Sequence, residues 1–362
     1  MRFRCERDTL ADAFAQAGRA VTNRAGLPIL SALHLNVSGN VLTAIGSDQD
    51  MTVRVECLVQ GEREGATAVP SRLLNEYVRT LPPGVVTATA TDDDQFEIGS
   101  GAALSRVRCY PVGEYPPVGE RCTDAGVRLP AADFAVAVGQ VAVAASRDEA
   151  RPILTGVLLT TSPTGLRLVA TDVYRLALRE LPGVSIGDTP KALVPARALT
   201  EVERFSGEGE LRIVLREREV VFIAAGVQLT SRLIEGEFPN YEQLLPDRYP
   251  NRLHVDRAKF LESLNRVKLL AQNNAPVRLR LSSDGMQLNA STQDVGTASD
   301  EVEAKYEGEE MTIAFNPAYL SQGLDAAGGT HVVMETLDPL RPVVLRPAES
   351  SDYLYLLMPV RI

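Results

Sequence analysis

Hydrophobic positions in this chain change period in a fixed order, and that order is written three times. A short alternating run comes first and an apolar stripe at helical spacing follows. In the first copy Phe3 and Cys5 lead into Leu10, Phe14 and Ala17, which predicts a helix from Asp8 to Val21. In the second, Val127 and Leu129 precede Phe134, Val138 and Val141, predicting a helix from Ala131 to Ala145. In the third, Leu253 and Val255 precede Phe260, Leu264 and Val267 on a helix from Asp256 to Leu270, with Asp256 as N-cap.

Period-two alternation returns after each helix. Ala32 to Val37, the turn Ser38-Gly39-Asn40, and Val41 to Ile45 read as a hairpin. Val157 to Thr160 with Leu166 to Val169, and Val277 to Leu281 with Met286 to Asn289, are its counterparts. A second helix is predicted in each copy: from Val69-Pro70-Ser71 to Leu81, from Val194-Pro195-Ala196 to Phe205, and from Phe315-Asn316-Pro317 to Ala326. Proline is tolerated near these starts because the first helical N–H groups have no partner within the helix.

Short motifs keep the same register. Leu27-Pro28-Ile29-Leu30 returns as Pro152-Ile153-Leu154 and, more weakly, as Pro276-Val277-Arg278-Leu279, with the three prolines equally spaced. The strands that follow end at Ser47-Asp48, Thr171-Asp172 and Thr292-Gln293-Asp294, and Gly113-Glu114-Tyr115-Pro116 matches Gly236-Glu237-Phe238-Pro239. A repeat this long is a whole domain and not a solenoid unit of about 20–50 residues. The reading is an α+β chain of three repeated domains, 1–122, 126–246 and 250–362, joined by linkers at Cys122–Gly126 and Pro246–Asn251. Each domain has two helices packed on antiparallel sheets of about eight strands.

Composition narrows the chemistry. The 362 residues are 45% hydrophobic and 23% charged, as in ordinary globular proteins. Four cysteines without a C-x-x-C pair, no apolar leader and no membrane-length apolar run lead to an expected cytoplasmic protein with reduced thiols. A net charge of −10 argues against neutralising phosphates over the whole surface and leaves room for a localised positive stripe.

Catalytic machinery is hard to find. There is no phosphate-binding glycine loop and no G-x-S-x-G elbow, and His34, His254 and His331 are scattered among strand-like segments. No metal or other cofactor is expected. Asp48 and Asp172, at equivalent positions, have two readings: an acid that ends a strand and bonds turn amides, or a carboxylate dyad of a hydrolase.

Two features point to binding. Arg19, Arg24, Arg72, Arg79, Arg147, Arg197, Arg204, Lys259, Arg266 and Lys268 lie on or beside the repeated helices, with Arg72 and Arg197 in one repeated slot that Ala318 fills in the third copy. They are either a shared cationic surface or a solvated face of paired charges. The tail Tyr353 to Ile362 stays apolar to its last residue, and is either simple core or the wall of an apolar groove in which Met358 adapts to partners.

Leu27-Pro28-Ile29-Leu30, Val169-Ala170-Thr171-Asp172-Val173-Tyr174-Arg175-Leu176, Gly236-Glu237-Phe238-Pro239-Asn240-Tyr241 and Met358-Pro359-Val360-Arg361-Ile362 together resemble the bacterial sliding clamps, the beta subunits of the replicative DNA polymerase III. The resemblance spans the chain. It implies a non-catalytic processivity factor: a head-to-tail homodimer closing a six-domain ring around double-stranded DNA, helices inside and sheets outside. By the same resemblance Arg24, Arg72, Arg147 and Arg197 face the DNA, and Val107 meets Leu269 and Leu270 of the other copy. A peptide groove for the polymerase alpha subunit, the clamp loader and other proteins is implied at Leu154, Thr171, Tyr174, Arg175, Leu176, Pro239, Leu244, Asn316, Tyr319, Leu340, Pro342, Met358, Pro359, Val360 and Arg361. Val173-Tyr174 stands where the family often has Gly-His, and Gln243 where arginine is common.

Overall fold

A computed structural model describes residues 1–22, 27–91, 93–186, 191–245, 248–271, 275–293 and 295–361. The first repeat contains β1 (Arg2–Glu6), α1 (Arg7–Ala17), β2 (Ala32–Ser38), β3 (Val41–Ser47), β4 (Met51–Leu58), β5 (Gln60–Arg63) and β6 (Gly65–Pro70). It continues with α2 (Ser71–Thr80), β7 (Val85–Ala90), β8 (Gln95–Ser100) and β9 (Ala103–Arg108). The second has β10 (Val127–Pro130), α3 (Ala131–Ala142), β11 (Gly156–Thr161), β12 (Gly165–Thr171) and β13 (Arg175–Pro182). After these come β14 (Lys191–Pro195), α4 (Ala196–Ser206), β15 (Glu210–Leu215), β16 (Glu219–Ala224) and β17 (Val227–Arg232). The third opens with β18 (Asn251–Asp256), α5 (Arg257–Val267), β19 (Val277–Ser282), β20 (Gly285–Thr292), β21 (Gly296–Val302) and β22 (Ala304–Glu307). It closes with β23 (Met311–Phe315), α6 (Pro317–Ala327), β24 (His331–Thr336), β25 (Val343–Pro347) and β26 (Tyr353–Leu357).

All six helices lie where the periodicity places them, with Leu10, Ala13, Phe14 and Ala17 buried on α1 and Phe260, Ser263, Leu264 and Val267 on α5. The Asp256 side chain accepts from the Lys259 amide at 2.9 Å, so the N-cap reading holds. Asn316 caps α6 in the same way, its Oδ1 accepting from the amides of Ala318 and Tyr319. The first helix of each copy is shorter than predicted. α1 gives way to a 3₁₀ turn at Gly18–Ala20 and α5 to one at Lys268–Leu270. Close packing sets the end of α1: a Cβ on Gly46 of β3 would lie 2.1 Å from the Ala17 carbonyl oxygen, so strand and helix end meet backbone to backbone.

The chain forms two compact units, residues 1–135 with 197–233, and residues 136–196 with 234–362. Each contains a sheet assembled from two repeats. In the first unit an eight-stranded sheet runs β10-β15-β16-β17-β4-β3-β2-β6, and β17 pairs antiparallel with β4 from Val227↔Val55 to Ser231↔Met51. In the second a nine-stranded sheet runs β14-β11-β12-β13-β26-β25-β24-β18-β22, and β13 pairs with β26 from Arg175↔Leu357 to Arg179↔Tyr353. A five-stranded sheet β5-β1-β7-β8-β9 completes the first unit, and a four-stranded sheet β21-β20-β19-β23 completes the second.

The helices cover one face of these sheets. Phe3, Phe14, Phe96, Phe134 and Phe222 fill the first unit, and Phe260, Phe315, Tyr353 and Tyr355 the second. The connections between repeats are longer than predicted. They run from β9 to β10 and from β17 to β18, and Asn251, read as linker, already belongs to a strand. They escape the periodicity rules because their described residues form short 3₁₀ turns, at Val112–Glu114 and Glu242–Leu244, and no strand of a sheet.

Candidate functional site

The repeated strand-end acid builds the most constrained turn in the second unit. Thr171 Oγ1 donates to the Arg175 carbonyl at 2.7 Å and accepts from the Val173 amide at 3.2 Å. Asp172 Oδ1 accepts from the amides of Tyr174 and Arg175, each at 3.0 Å, and its Oδ2 from Arg175 Nε at 3.0 Å. These bonds hold Val173 at φ 82°, a left-handed conformation that costs a β-branched residue about 1–3 kcal/mol. The strain is spent on presentation: Val173 and Tyr174 each stand 59% exposed at the tip.

Arg175 joins this turn to α6. Its guanidinium carbon sits 4.3 Å from the centre of the Tyr319 ring, and Nη1 donates to Gln322 Oε1 and to Tyr355 Oη, the latter at 3.4 Å. Tyr355 Oη in turn donates to the Tyr319 carbonyl at 2.9 Å. Burial disfavours the guanidinium charge, but Tyr355 and Asp172 outweigh it and hold the Arg175 pKa above its ordinary value. Burial likewise pushes Tyr355 up to about 12, so its hydroxyl keeps its proton. Gly323 lets α6 approach, because a Cβ there would meet the Tyr355 ring at 2.4 Å.

The tail completes the wall. β26 is buried throughout, so core is the right reading as far as Leu357. Beyond it the Met358 amide donates to the Tyr174 carbonyl at 2.9 Å and the Val360 amide to the Ala314 carbonyl at 2.8 Å. Met358 packs against a cluster containing Leu158, Val169, Leu176, Leu178 and Leu356, while Val360 and Arg361 are exposed. The tail is therefore core strand first and surface wall afterwards.

Of the groove residues named from sequence, the structure joins Thr171, Tyr174, Arg175, Tyr319 and Met358 through these contacts, with the Tyr174 and Tyr319 rings stacked at 6.4 Å, while Val360 is held by Ala314. Leu154 and Leu176 are buried and supply support, whereas Pro239, Leu244 and Leu340 are exposed. Pro342 and Pro359 are half-buried, and the Asn316 side-chain oxygen is committed to its helix cap. Leu340 is carried on a separate turn whose amides bond Asp338. Tyr355 and Gln322 were missed from sequence. Both read as ordinary core or helix positions; the long-range pairing of β13 with β26 brings Tyr355 to Arg175, and the packing of α6 on Tyr355 through Gly323 brings Gln322.

The cations are exposed and mostly paired. Arg72 on α2 donates to Glu76 at 2.9 Å with its side chain 79% exposed, and Glu76 raises its pKa. Arg197 on α4 donates to Asp48 at 2.6 Å with 56% exposure, and Arg19 and Arg204 both reach Glu201. Arg147 is exposed beyond α3, and Arg24 lies outside the described residues. Surface pairs of this kind contribute about 0–1 kcal/mol and leave guanidinium N–H groups free for other anions.

Asp48 repeats the turn of Asp172, accepting from the amides of Asp50 at 3.1 Å and Met51 at 2.8 Å, with Gln49 at φ 79°. Each acid is thus committed to turn amides and one arginine, which removes support for a hydrolytic dyad. Among the described residues no group of three or more His, Cys, Asp or Glu could hold a metal ion, and no helix is long and apolar enough to cross a membrane.

Two of the strands that end sheets are the counterparts, in the smaller sheets, of those paired across repeats. β9 ends one side of the five-stranded sheet, with Leu104 59% exposed and Val107 buried. β21 ends one side of the four-stranded sheet beside α5, whose following turn carries Leu269 at 70% exposure and a half-buried Leu270.

Comparison with known proteins follows the repeats. Family models of the DNA polymerase III beta subunit match the chain in three pieces: the N-terminal domain over residues 1–119, the central domain over 128–240 and the C-terminal domain over 242–361. A beta sliding clamp of Streptomyces coelicolor is 34% identical and one of Synechococcus elongatus 31%, both with 100% of each chain covered. The solved DNA polymerase sliding clamp of Bacillus subtilis is similar with TM-score 0.95 at 26% identity, covering 100% of this chain and 99% of its own. The DnaN sliding clamp of Bartonella birtlesii, solved bound to griselimycin, has TM-score 0.95 at 28% identity with 100% of both chains covered.

Arg175→Ala would leave Asp172 without its guanidinium and Tyr319 without its cation. It should lower stability by about 3 kcal/mol in urea denaturation, the low end for a broken buried pair. A loss below about 1 kcal/mol would show that the Asp172–Arg175–Tyr319 set does not hold the turn.

Proposed function

The chain belongs to the DNA polymerase III beta subunit family, the beta sliding clamps, and from that premise we propose that two copies close head to tail into a ring around duplex DNA. It is a DNA sliding clamp and has no catalytic role. The observation that carries the ring is the strand bookkeeping of the sheets. β17 and β26 each end a sheet of their own repeat and pair with β4 and β13, the corresponding strands of the repeat before. The same rule leaves β9 and β21 without partners, and each suits the other. β9 carries Arg106 and Arg108, β21 carries Asp300 and Glu301, and Leu104 and Leu269 are the apolar groups exposed beside them. Val107, buried in its own sheet, supports that edge from behind.

A ring also accounts for the acidity. Closure supplies the link to DNA, so few phosphate contacts are needed and each additional one would steepen the salt dependence and slow sliding. A net charge of −10 per chain repels DNA from most of the surface. Arg72, Arg147 and Arg197, with Arg24, are the positions assigned to the DNA side. Arg72, Arg147 and Arg197 lie on or beside helices, and the guanidinium groups of Arg72 and Arg197, each paired with one carboxylate, keep N–H groups for weak contacts to the backbone without base reading. The reading places the protein in the cytoplasm.

Partners are assigned to the groove walled by Tyr174, Arg175, Tyr319 and Met358 to Arg361, with Leu154, Thr171, Leu176, Pro239, Leu244, Asn316, Leu340 and Pro342 around it. The polymerase alpha subunit, the clamp loader and other proteins would enter it as short peptides. Aromatic walls and an adaptable methionine suit peptides of varied sequence. The griselimycin complexes of the Bartonella birtlesii and Pseudomonas aeruginosa clamps support a ligand-binding surface in this family.

Protein loaded onto a nicked circular plasmid by a bacterial clamp loader with ATP should stay bound through gel filtration at high salt and be lost once the plasmid is linearised. Equal retention on both forms would rule out a topological link. Deleting Met358 to Ile362 should weaken binding of a fluorescent polymerase-tail peptide by at least about 100-fold while leaving the native mass unchanged. Unaltered affinity would place the groove elsewhere.

A further inference from the structure

Each shared sheet has a face turned away from its helices, and in two cases a connecting segment lies across it. In the first unit Tyr115 packs its ring 5.3 Å from His34, Arg54 reaches the Gly119 carbonyl, and Gln228 Oε1 accepts from the Cys122 amide at 2.7 Å. In the second unit Phe238, Tyr241, Leu245 and Tyr249 cover Leu158, Val169, Leu178 and Leu354. The corresponding face of the four-stranded sheet is open and polar. Arg278, Arg280, Ser291, Thr297, Ser299 and Thr312 line a cavity of about 360 Å³, and all are exposed.

From this we propose that the outer face of the β21-β20-β19-β23 sheet docks an extended acidic segment of a partner protein. The charge is the first reason. Among the described residues neither Arg278 nor Arg280 meets a carboxylate, whereas Arg2, Arg4, Arg54, Arg106, Arg128 and Arg216 on other strands or their ends all do. On a chain of net charge −10, two adjacent uncommitted guanidinium groups form a local attractor for carboxylates that most of the surface repels. Glu301 lies on the same face, but it is two strands from Arg280 and accepts from Gln287.

Geometry is the second reason. Arg278 and Arg280 are alternate residues of β19, so they point to one face about 6.6–6.8 Å apart. An extended peptide with acids at alternate positions has the same repeat, so each carboxylate can take a forked pair of N–H donors from one arginine. Asn289 and Ser299 extend the Arg278 row across the sheet, and they supply amide and hydroxyl groups for the backbone of such a segment. Pairing at the β21 edge would use main-chain groups and leave this face uncovered, so the proposal does not depend on the ring.

The test is fluorescence anisotropy with the full chain and three labelled probes: an alternating Glu-Ser decapeptide, its Gln-Ser counterpart and a ten-nucleotide oligo-dT. The Glu-Ser peptide should bind, and the Gln-Ser peptide should bind at least about tenfold more weakly. The Arg278→Gln/Arg280→Gln variant, with an unchanged melting temperature, should lose the preference for Glu. Should that double variant unfold, each single variant should show a partial loss of the same preference. No preference for Glu over Gln, or a preference unchanged in every folded variant, would overturn the proposal. Binding of oligo-dT as tight as that of the Glu peptide, and lost with it in the variant, would overturn it in favour of a nucleic-acid contact.

Discussion

A strand at the edge of a sheet carries a row of unpaired N–H and C=O groups, and the satisfaction of those rows organises this chain. No repeat closes its own sheets. β4 would be an open edge without β17, and β13 without β26. Pairing across the repeat boundary turns three similar sequences into two units that each contain parts of two repeats. The second of those ladders brings the tail to the Asp172 turn, where the Met358 amide meets the Tyr174 carbonyl.

The same turn then serves two purposes, decided by what the neighbouring repeat places beside it. Asp48 and Asp172 bond turn amides in the same pattern, and the residues after them, Gln49 and Val173, share a left-handed backbone. Beside Asp48 stands Arg197 of α4, giving a charged surface pair. At Asp172 the arginine is in the turn itself and lies over Tyr319 of α6, and the turn carbonyl of Tyr174 receives the Met358 amide. One junction becomes polar, while the other becomes an aromatic wall with an apolar tail. Function diverges between copies because the side chains change while the backbone is kept.

Local patterning was legible in the sequence for a physical reason: helices and hairpins bury their own stripes, so Phe14, Phe260 and the Ser38–Asn40 turn announce themselves. Strand partners across a repeat boundary carry no such mark, because Leu229 opposite Val53 reads like any buried strand residue. The groove was named through family resemblance, and the contacts that fix it, Tyr355 to Arg175 and Met358 to Tyr174, depend on non-local pairing. Ionic partners were equally hidden. Nothing near Arg197 in sequence points to Asp48, whereas the burial of Val107 opposite an exposed Leu104 is the ordinary alternation of a strand.

The central claim is that β9 and β21, the counterparts of the strands paired across repeats, satisfy each other between copies. Sedimentation equilibrium of the purified protein at micromolar concentration tests it most directly. The account predicts a single species of twice the 39.2 kDa chain mass, converted to the chain mass itself when Leu104→Asp and Leu269→Asp are combined. A stable 39.2 kDa species for the unaltered protein would contradict it.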